Sequence, residues 1–290
     1  MRINTNIASM QAQESASLTN KTLGSSLEKL SSGLRINKAS DDASGLSIAD
    51  KLRTQANGVS QAISNGSSAV ALTQIADKAM AEQSNILDIM KTKLIQASTA
   101  TTSTAGRVAI AKDVSKLMDQ LDNIASQTNY NGISLLQKDA TTNTVADAQT
   151  FQMGDKAANT ISTGATVQAN STGLSLTTLD GLVSGGVTSA AGAGITAANA
   201  RTQMLEVDQA LDRLNGWRAD FGSTQNQLES AVRNLSTQQT NIKNAESIIR
   251  DVDYAKESAN FSKQNIIAQA GTYAMSQSNA MQQNVMRLLQ

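Results

Sequence analysis

Few residues in this chain are placed to do chemistry. Asp41 and Asp42 stand side by side, a pair that could bind a cation or share acid–base work. Arg35 and Lys38 lie just before them, and the pair precedes an apolar-periodic stretch. A helix N-cap, where a carboxylate accepts orphan backbone N–H groups, is the simpler reading. Residues 181 to 194 are glycine-rich, but no phosphate-loop Lys follows, so the stretch reads as a flexible surface loop. Met275, Met281 and Met286 read as adaptable packing residues and not as a cofactor site. The sequence has no His and no Cys. That removes the commonest general base, the commonest zinc ligand, every thiol nucleophile and every disulfide. No catalytic, cofactor-binding or metal-ligating constellation remains, so the chain reads as something other than an enzyme.

Composition narrows the class further. There are 24 basic and 24 acidic side chains among 290 residues. A zero formal charge argues against nucleic acid, because phosphate binding needs an excess of Lys and Arg. Aromatic residues make up 2% of the chain, too few for a thick globular core. A narrow helical bundle can instead be filled by Leu, Ile, Val, Met and Ala. There is no Pro, so long helices lack their strongest breaker. No apolar run reaches the length of a membrane span, and the first residues lack the apolar stretch of a secretory signal. The expectation is a protein that stays in the cytoplasm or leaves by a route that reads no such signal.

The strongest signal is a period of seven. Val207, Leu214, Phe221, Leu228, Leu235, Ile242 and Ile249 recur without a break, with Met204, Leu211 and Val232 as companions. Ile110, Val114, Leu117, Leu121 and Ile124 alternate steps of four and three. Leu52, Ala56, Val59, Ile63, Gly66 and Val70 do the same. Such spacing lays a narrow apolar seam along a helix that then needs partner helices. Weaker seams mark the ends: Leu23, Leu27, Leu30 and Leu34 near the start, and Ile267, Ala274, Met281 and Leu288 at the finish. The other faces of these end segments are mostly Asn, Gln, Ser and Thr, so such helices would be marginal alone.

Punctuation sets the layout. Ser31-Ser32-Gly33 can end the first helix, and Ser40-Asp41-Asp42 can cap the second. Ser98 to Gly106 reads as a loop, and Asn129-Tyr130-Asn131-Gly132 as a turn. From about 138 to 197 the heptads vanish, and short alternating pieces around Thr150–Gly154 and Thr172–Leu179 predict β-hairpin and loop. The predicted fold is mainly α: a long coiled-coil-like bundle built from both chain ends, with a small central β-hairpin region.

Several motifs together resemble one family. Leu30-Ser31-Ser32-Gly33-Leu34-Arg35-Ile36-Asn37 followed by Asp41-Asp42-Ala43-Ser44-Gly45-Leu46 looks like the N-terminal signature of bacterial flagellins. Asn129-Tyr130-Asn131-Gly132, Phe151-Gln152-Met153-Gly154 and Arg218-Ala219-Asp220-Phe221-Gly222 are similar to later flagellin segments, in the same order. Ala245-Glu246-Ser247 with Ile249-Arg250-Asp251, then Gln269-Ala270-Gly271, resembles the terminal segment. The likeness covers all helices and leaves only about 160 to 197 unmatched.

The resemblance implies a structural subunit that self-assembles into the flagellar filament, secreted to the cell exterior and serving motility. It implies export unfolded and folding at the filament tip. Its partners would be further copies of itself, the flagellar export apparatus, an export chaperone, and hook-associated and cap proteins, with no nucleic acid and no membrane. An inner domain would comprise residues 1–45 and 251–290, a bundle 46–175 and 198–250, and a short outer loop 160–197. A metallopeptidase insert, known in some flagellins, needs H-E-x-x-H, which a chain without His lacks. Many flagellins are detected by a Toll-like receptor through a helix reading roughly Leu-Gln-Arg-x-Arg-Glu-Leu-Ala. The matching stretch here, Leu87 to Leu94, has Ile89 for the contacting Arg and Lys93 for the contacting Leu, and Asp113 replaces a Glu. That implies a poor agonist of the receptor. A hook–filament junction protein and a non-flagellar coiled-coil scaffold are the alternative readings.

Overall fold

A computed structural model describes residues 6–137, 146–164, 166–184 and 195–288, without the side chains of 282 and 285–288. The elements run α1 (Ile7–Ser32), α2 (Ala43–Ser98), α3 (Thr104–Gln127), β1 (Asn129–Tyr130), β2 (Ile133–Ser134), β3 (Thr150–Gln152), β4 (Thr160–Ser162), α4 (Thr177–Ser184), α5 (Ala197–Arg250) and α6 (Tyr254–Leu288). The fold is mainly helical with two small antiparallel hairpins, as the sequence predicts. Two compact units form: Met1–Asn57 with Gln239–Gln290, and Gly58–Gln238. The unit limits therefore fall inside α2 and α5, not at the breaks between helices.

In the terminal unit, α1 and α6 run antiparallel. Asn6 Nδ2 donates to the Ser278 carbonyl at 3.4 Å, and Ala16 and Gly271 lie on the facing sides. Asn6 also caps α1, its Oδ1 accepting the Ser9 N–H at 3.0 Å. Gly33 ends α1 in the left-handed region with φ 73° and sends its N–H to the Lys29 carbonyl, the role glycine plays because it has no Cβ. Asp42 caps α2, accepting the Gly45 N–H at 2.8 Å.

The larger unit holds the main core. Val207, Leu214, Phe221 and Leu228 of α5 are buried, as are Ile110, Val114 and Leu121 of α3. On α2 the buried row is Ala62, Gly66, Ala69, Thr73, Ala76, Met80 and Gln83. Ile63 and Val70, expected on that row, are only half-buried beside it. On α5 the buried companions are Gln203, Ala210 and Thr224, while Met204, Leu211 and Val232 flank them, half-buried. Small side chains at the contact let helix axes approach closely; bulkier neighbours fill the flanks.

The central region is partly as expected. Asn131 and Gly132 turn β1 into β2 with φ 50° and 80°, the left-handed pair that a tight hairpin needs. Thr150–Gln152 is a strand paired with Thr160–Ser162. The hairpin lies against α2, where Asn65 Nδ2 donates to the Gln152 carbonyl at 3.2 Å and Met153 covers Gly66. Thr172–Leu179 is not a strand. It is a turn followed by the start of α4, and Leu174, Leu176 and Leu179 are all buried. The alternation was that of a turn with three Leu anchors. Residues 185–194, most of the glycine-rich stretch, lie outside the described residues.

Candidate assembly surfaces

The joint of the terminal unit brings the two most distinctive sequence signatures together. Leu34 and Asp251 form an antiparallel bridge. The Arg35 N–H donates to the Arg250 carbonyl at 2.6 Å, and the Val252 N–H to the Gly33 carbonyl at 3.0 Å. Arg35 Nη2 donates to the Ile249 carbonyl at 2.5 Å, satisfying an acceptor at the end of α5. Arg250, mostly buried, approaches Asp50 at 3.8 Å, and Arg53 meets the same carboxylate at 2.9 Å.

The Asp41–Asp42 pair serves this joint. Asp41 Oδ2 accepts the N–H groups of Asn37 and Lys38 at 3.1 and 3.0 Å. These bonds, the one from Lys38 foremost, hold the Asp41 carboxyl below the ordinary carboxylate range. Lys38 in turn reaches Glu28 at 2.7 Å, which raises its pKa. Among the described residues no group of three or more Asp, Glu, His or Cys could hold a metal ion.

Where α1 meets α6, small and polar side chains mix with four large apolar ones. Ala12, Ala16, Thr19, Leu23, Ser26 and Leu30 turn inward on α1; Phe261, Gln264, Ala268, Gly271, Met275 and Ser278 do so on α6. The seam expected at Ile267, Ala274 and Met281 is not this inner face. All three are exposed, and Leu288 ends the helix with its side chain outside the described atoms. On α1, Leu27 is exposed also, while Leu23 and Leu30 are half-buried, as is Leu34 just past its cap. Ile242 is buried and Ile249 half-buried on the last turns of α5. On α1 two members of the inner face, Leu23 and Leu30, stand in the expected seam; on α6 the inner row Phe261, Ala268 and Met275 has the same seven-residue spacing, one position on from the expected Ile267 and Ala274.

Large apolar side chains also stand on the outer faces, among polar ones. Ile266, Ile267, Tyr273 and Met281 of α6 and Ile7, Met10 and Leu18 of α1 are all exposed, Tyr273 at 74%. Burying an Ala or a Gly removes little apolar area from water, whereas a large apolar side chain gains about 1.5–3 kcal/mol on burial. The unit therefore keeps part of its hydrophobic driving force on faces that α1 and α6 do not give each other.

In the larger unit Ile89 is exposed on α2, and one turn on Lys93 pairs with Asp113 of α3 at 3.0 Å. The three positions singled out by sequence thus lie along neighbouring faces of α2 and α3, two of them joined. No helix among the described residues is long and apolar enough to cross a membrane.

Comparison with known proteins agrees with this architecture. Residues 3–141 match the bacterial flagellin N-terminal helical region, and residues 204–289 the bacterial flagellin C-terminal helical region. Over the full length of both chains, the sequence is 36% identical to flagellin of Bacillus subtilis and 33% identical to flagellin FlaB2 of Treponema pallidum. A solved protein of Vibrio parahaemolyticus, described as flagellar hook-associated, shares the fold with a TM-score of 0.60 over 72% of this chain and 99% of its own, at 12% identity. The chain belongs to the bacterial flagellin family. It is a short member, a structural subunit of the flagellar filament. Neither the junction-protein reading nor the scaffold reading is favoured by relatives that match end to end.

Proposed function

We propose that the chain polymerises by burying the outer faces of α1 and α6 against further copies of itself. The exposed Ile266, Tyr273, Ile7, Met10 and Leu18, on helices whose mutual seam is only half-buried, carry this reading. Contacts that repeat head to tail without closing a ring yield an open helical filament. The stability of the terminal unit then belongs to the polymer, because binding and ordering are coupled.

Export as an unfolded chain follows from the same economy. The sequence has no disulfide to reduce and no Pro to isomerise, and a hairpin with a thin inner seam opens readily. An export chaperone and the export apparatus would handle that form, and hook-associated and cap proteins would meet the folded one, outside the cell. The subunit's work is assembly, without catalysis. At Ile89, Lys93 and Asp113 the surface is a poor fit for a receptor expecting an Arg and an apolar contact, so we infer weak recognition there.

The test is electron microscopy of purified protein after seeding, beside a chain lacking residues 275–290. The full chain should give filaments and the truncated chain none, while circular dichroism shows the larger unit still helical. Wild-type filament yield from the truncated chain would overturn the proposal.

A further inference from the structure

We propose that Met10 and Met281 are an oxidant-sensitive site of this chain, and that their conversion to sulfoxides by a peroxide blocks assembly. The consequence for assembly rests on the reading that the outer faces of α1 and α6 pack against other copies; the site itself does not.

The chain has ten Met and no Cys, so thioethers are the only sulfur it offers an oxidant. Among the eight Met whose side chains are described, accessibilities divide sharply. Met80 and Met90 are fully buried, and Met118 and Met153 are exposed by 4% and 6%. Met204 and Met275 are half-buried. Met10 and Met281 are exposed by 61% and 62%. Susceptibility to two-electron oxidants follows access to the sulfur lone pair. Both exposed residues fall in the terminal unit, one on each helix of the α1–α6 pair, and both lie off its inner seam.

The step needs only the peroxide. A lone pair on Sδ attacks one peroxide oxygen, an S–O bond forms and the O–O bond breaks. The departing oxygen leaves as hydroxide and takes up the remaining proton as water. Sulfur is oxidised by two electrons and the peroxide is reduced by two. A flexible apolar side chain becomes a polar, chiral one that carries a strong acceptor. On a face that must be dehydrated during packing, such an acceptor opposes burial unless a donor meets it.

Purified full-length chain would be treated with dilute hydrogen peroxide, quenched, and followed by position-resolved peptide mass spectrometry. Met10 and Met281 should gain oxygen several-fold faster than Met80, Met90, Met118 and Met153; equal rates across all six would overturn the site. Seeded assembly would then be measured by sedimentation for oxidised wild type and for the oxidised Met10→Leu, Met281→Leu variant. Each protein is compared with its own unoxidised form: the wild type should lose most of its filament yield, and the variant should lose little of whatever yield it has. An oxidised variant that loses as much as wild type would show that other positions are responsible. Treatment of the oxidised wild type with sulfoxide reductases of both epimer specificities should restore the yield, which guards against a variant that assembles poorly; no recovery would overturn the block by sulfoxide. If unoxidised wild type forms no filaments, the assembly reading fails, while the order of oxidation still decides the site.

Discussion

The hydroxyl of Tyr254 lies 2.9 Å from where a Cβ would stand on Gly33, so the first residue of α6 closes over the last cap of α1. The same glycine has φ 73° and its carbonyl accepts the Val252 N–H. Two independent constraints, a left-handed backbone and a side chain overhead, meet at one position 221 residues from its neighbour in sequence (254 − 33).

Gly33→Ala should therefore destabilise the terminal unit. The left-handed conformation alone costs about 1–2 kcal/mol for a residue with a Cβ. The Tyr254 hydroxyl must also move. Hydrogen exchange should show faster opening of amides in α1 and α6, with those of the larger unit unchanged. A parallel Gly216→Ala change, in open space on α5, should be neutral or slightly stabilising. Equal effects from the two would mean the joint is not constrained.

Leu214 is fully buried in the middle of the α5 row. Leu214→Ala should cost about 2–5 kcal/mol. Ile242→Ala, at a position that keeps 8% exposure within the terminal unit, should cost less in the monomer. Urea denaturation followed through Trp217, half-buried against the core, reads the first change directly.

The joint should also be sensitive to pH. Asp41 has a folded pKa below its ordinary value, so its contribution is fully present above the ordinary carboxylate range. It is lost as pH falls through the lowered value, when the proton removes an acceptor from the Asn37 and Lys38 N–H groups. The pair of Lys38 with Glu28 behaves oppositely. Lys38 has a raised pKa, so its contribution is present below about 10.5 and fades as pH rises through the raised value. Melting of Asp41→Asn should differ from wild type near neutral pH, and the difference should shrink as pH drops into the ordinary carboxylate range and below. A pH-independent difference would mean that the carboxylate's charge plays no part.

Receptor recognition can be tested at α2. Lys93 is held by Asp113, so Lys93→Leu both restores an apolar contact and frees the carboxylate for an incoming donor. Ile89→Arg restores a forked donor at an exposed site. One restored central anchor is worth about 2 kcal/mol, roughly thirty-fold in affinity. A receptor-reporter assay with monomer should show weak signalling by wild type and a clear gain in the double variant. Strong signalling by wild type would refute the inference.

The sequence by itself determined the five long helices, though not α4, the caps at Gly33 and Asp42, and the heptad of α5. Seven-residue spacing without Pro leaves no other regular structure for Val207 to Leu235, and Gly33 and Asp42 act within a few residues of where they stand. Tertiary structure decided the phase of the remaining seams. Apolar periodicity shows that a helix has an apolar side, but two neighbouring rows compete, and the partner chooses. On α2 the partner helix took the Ala62–Ala69 row over Ile63 and Val70; on α6, α1 took Ala268 and Gly271 over Ile267 and Ala274. On these rows Ala62, Ala69, Ala268 and Gly271 permit close approach, and Met80, Phe261 and Met275 fill the space between them. Ile266, Ile267 and Tyr273 remain outside, where another molecule can bury them. The pairing of Gly33 with Tyr254 and of Leu34 with Asp251 was likewise beyond local reading, because it depends on two chain ends returning to the same place.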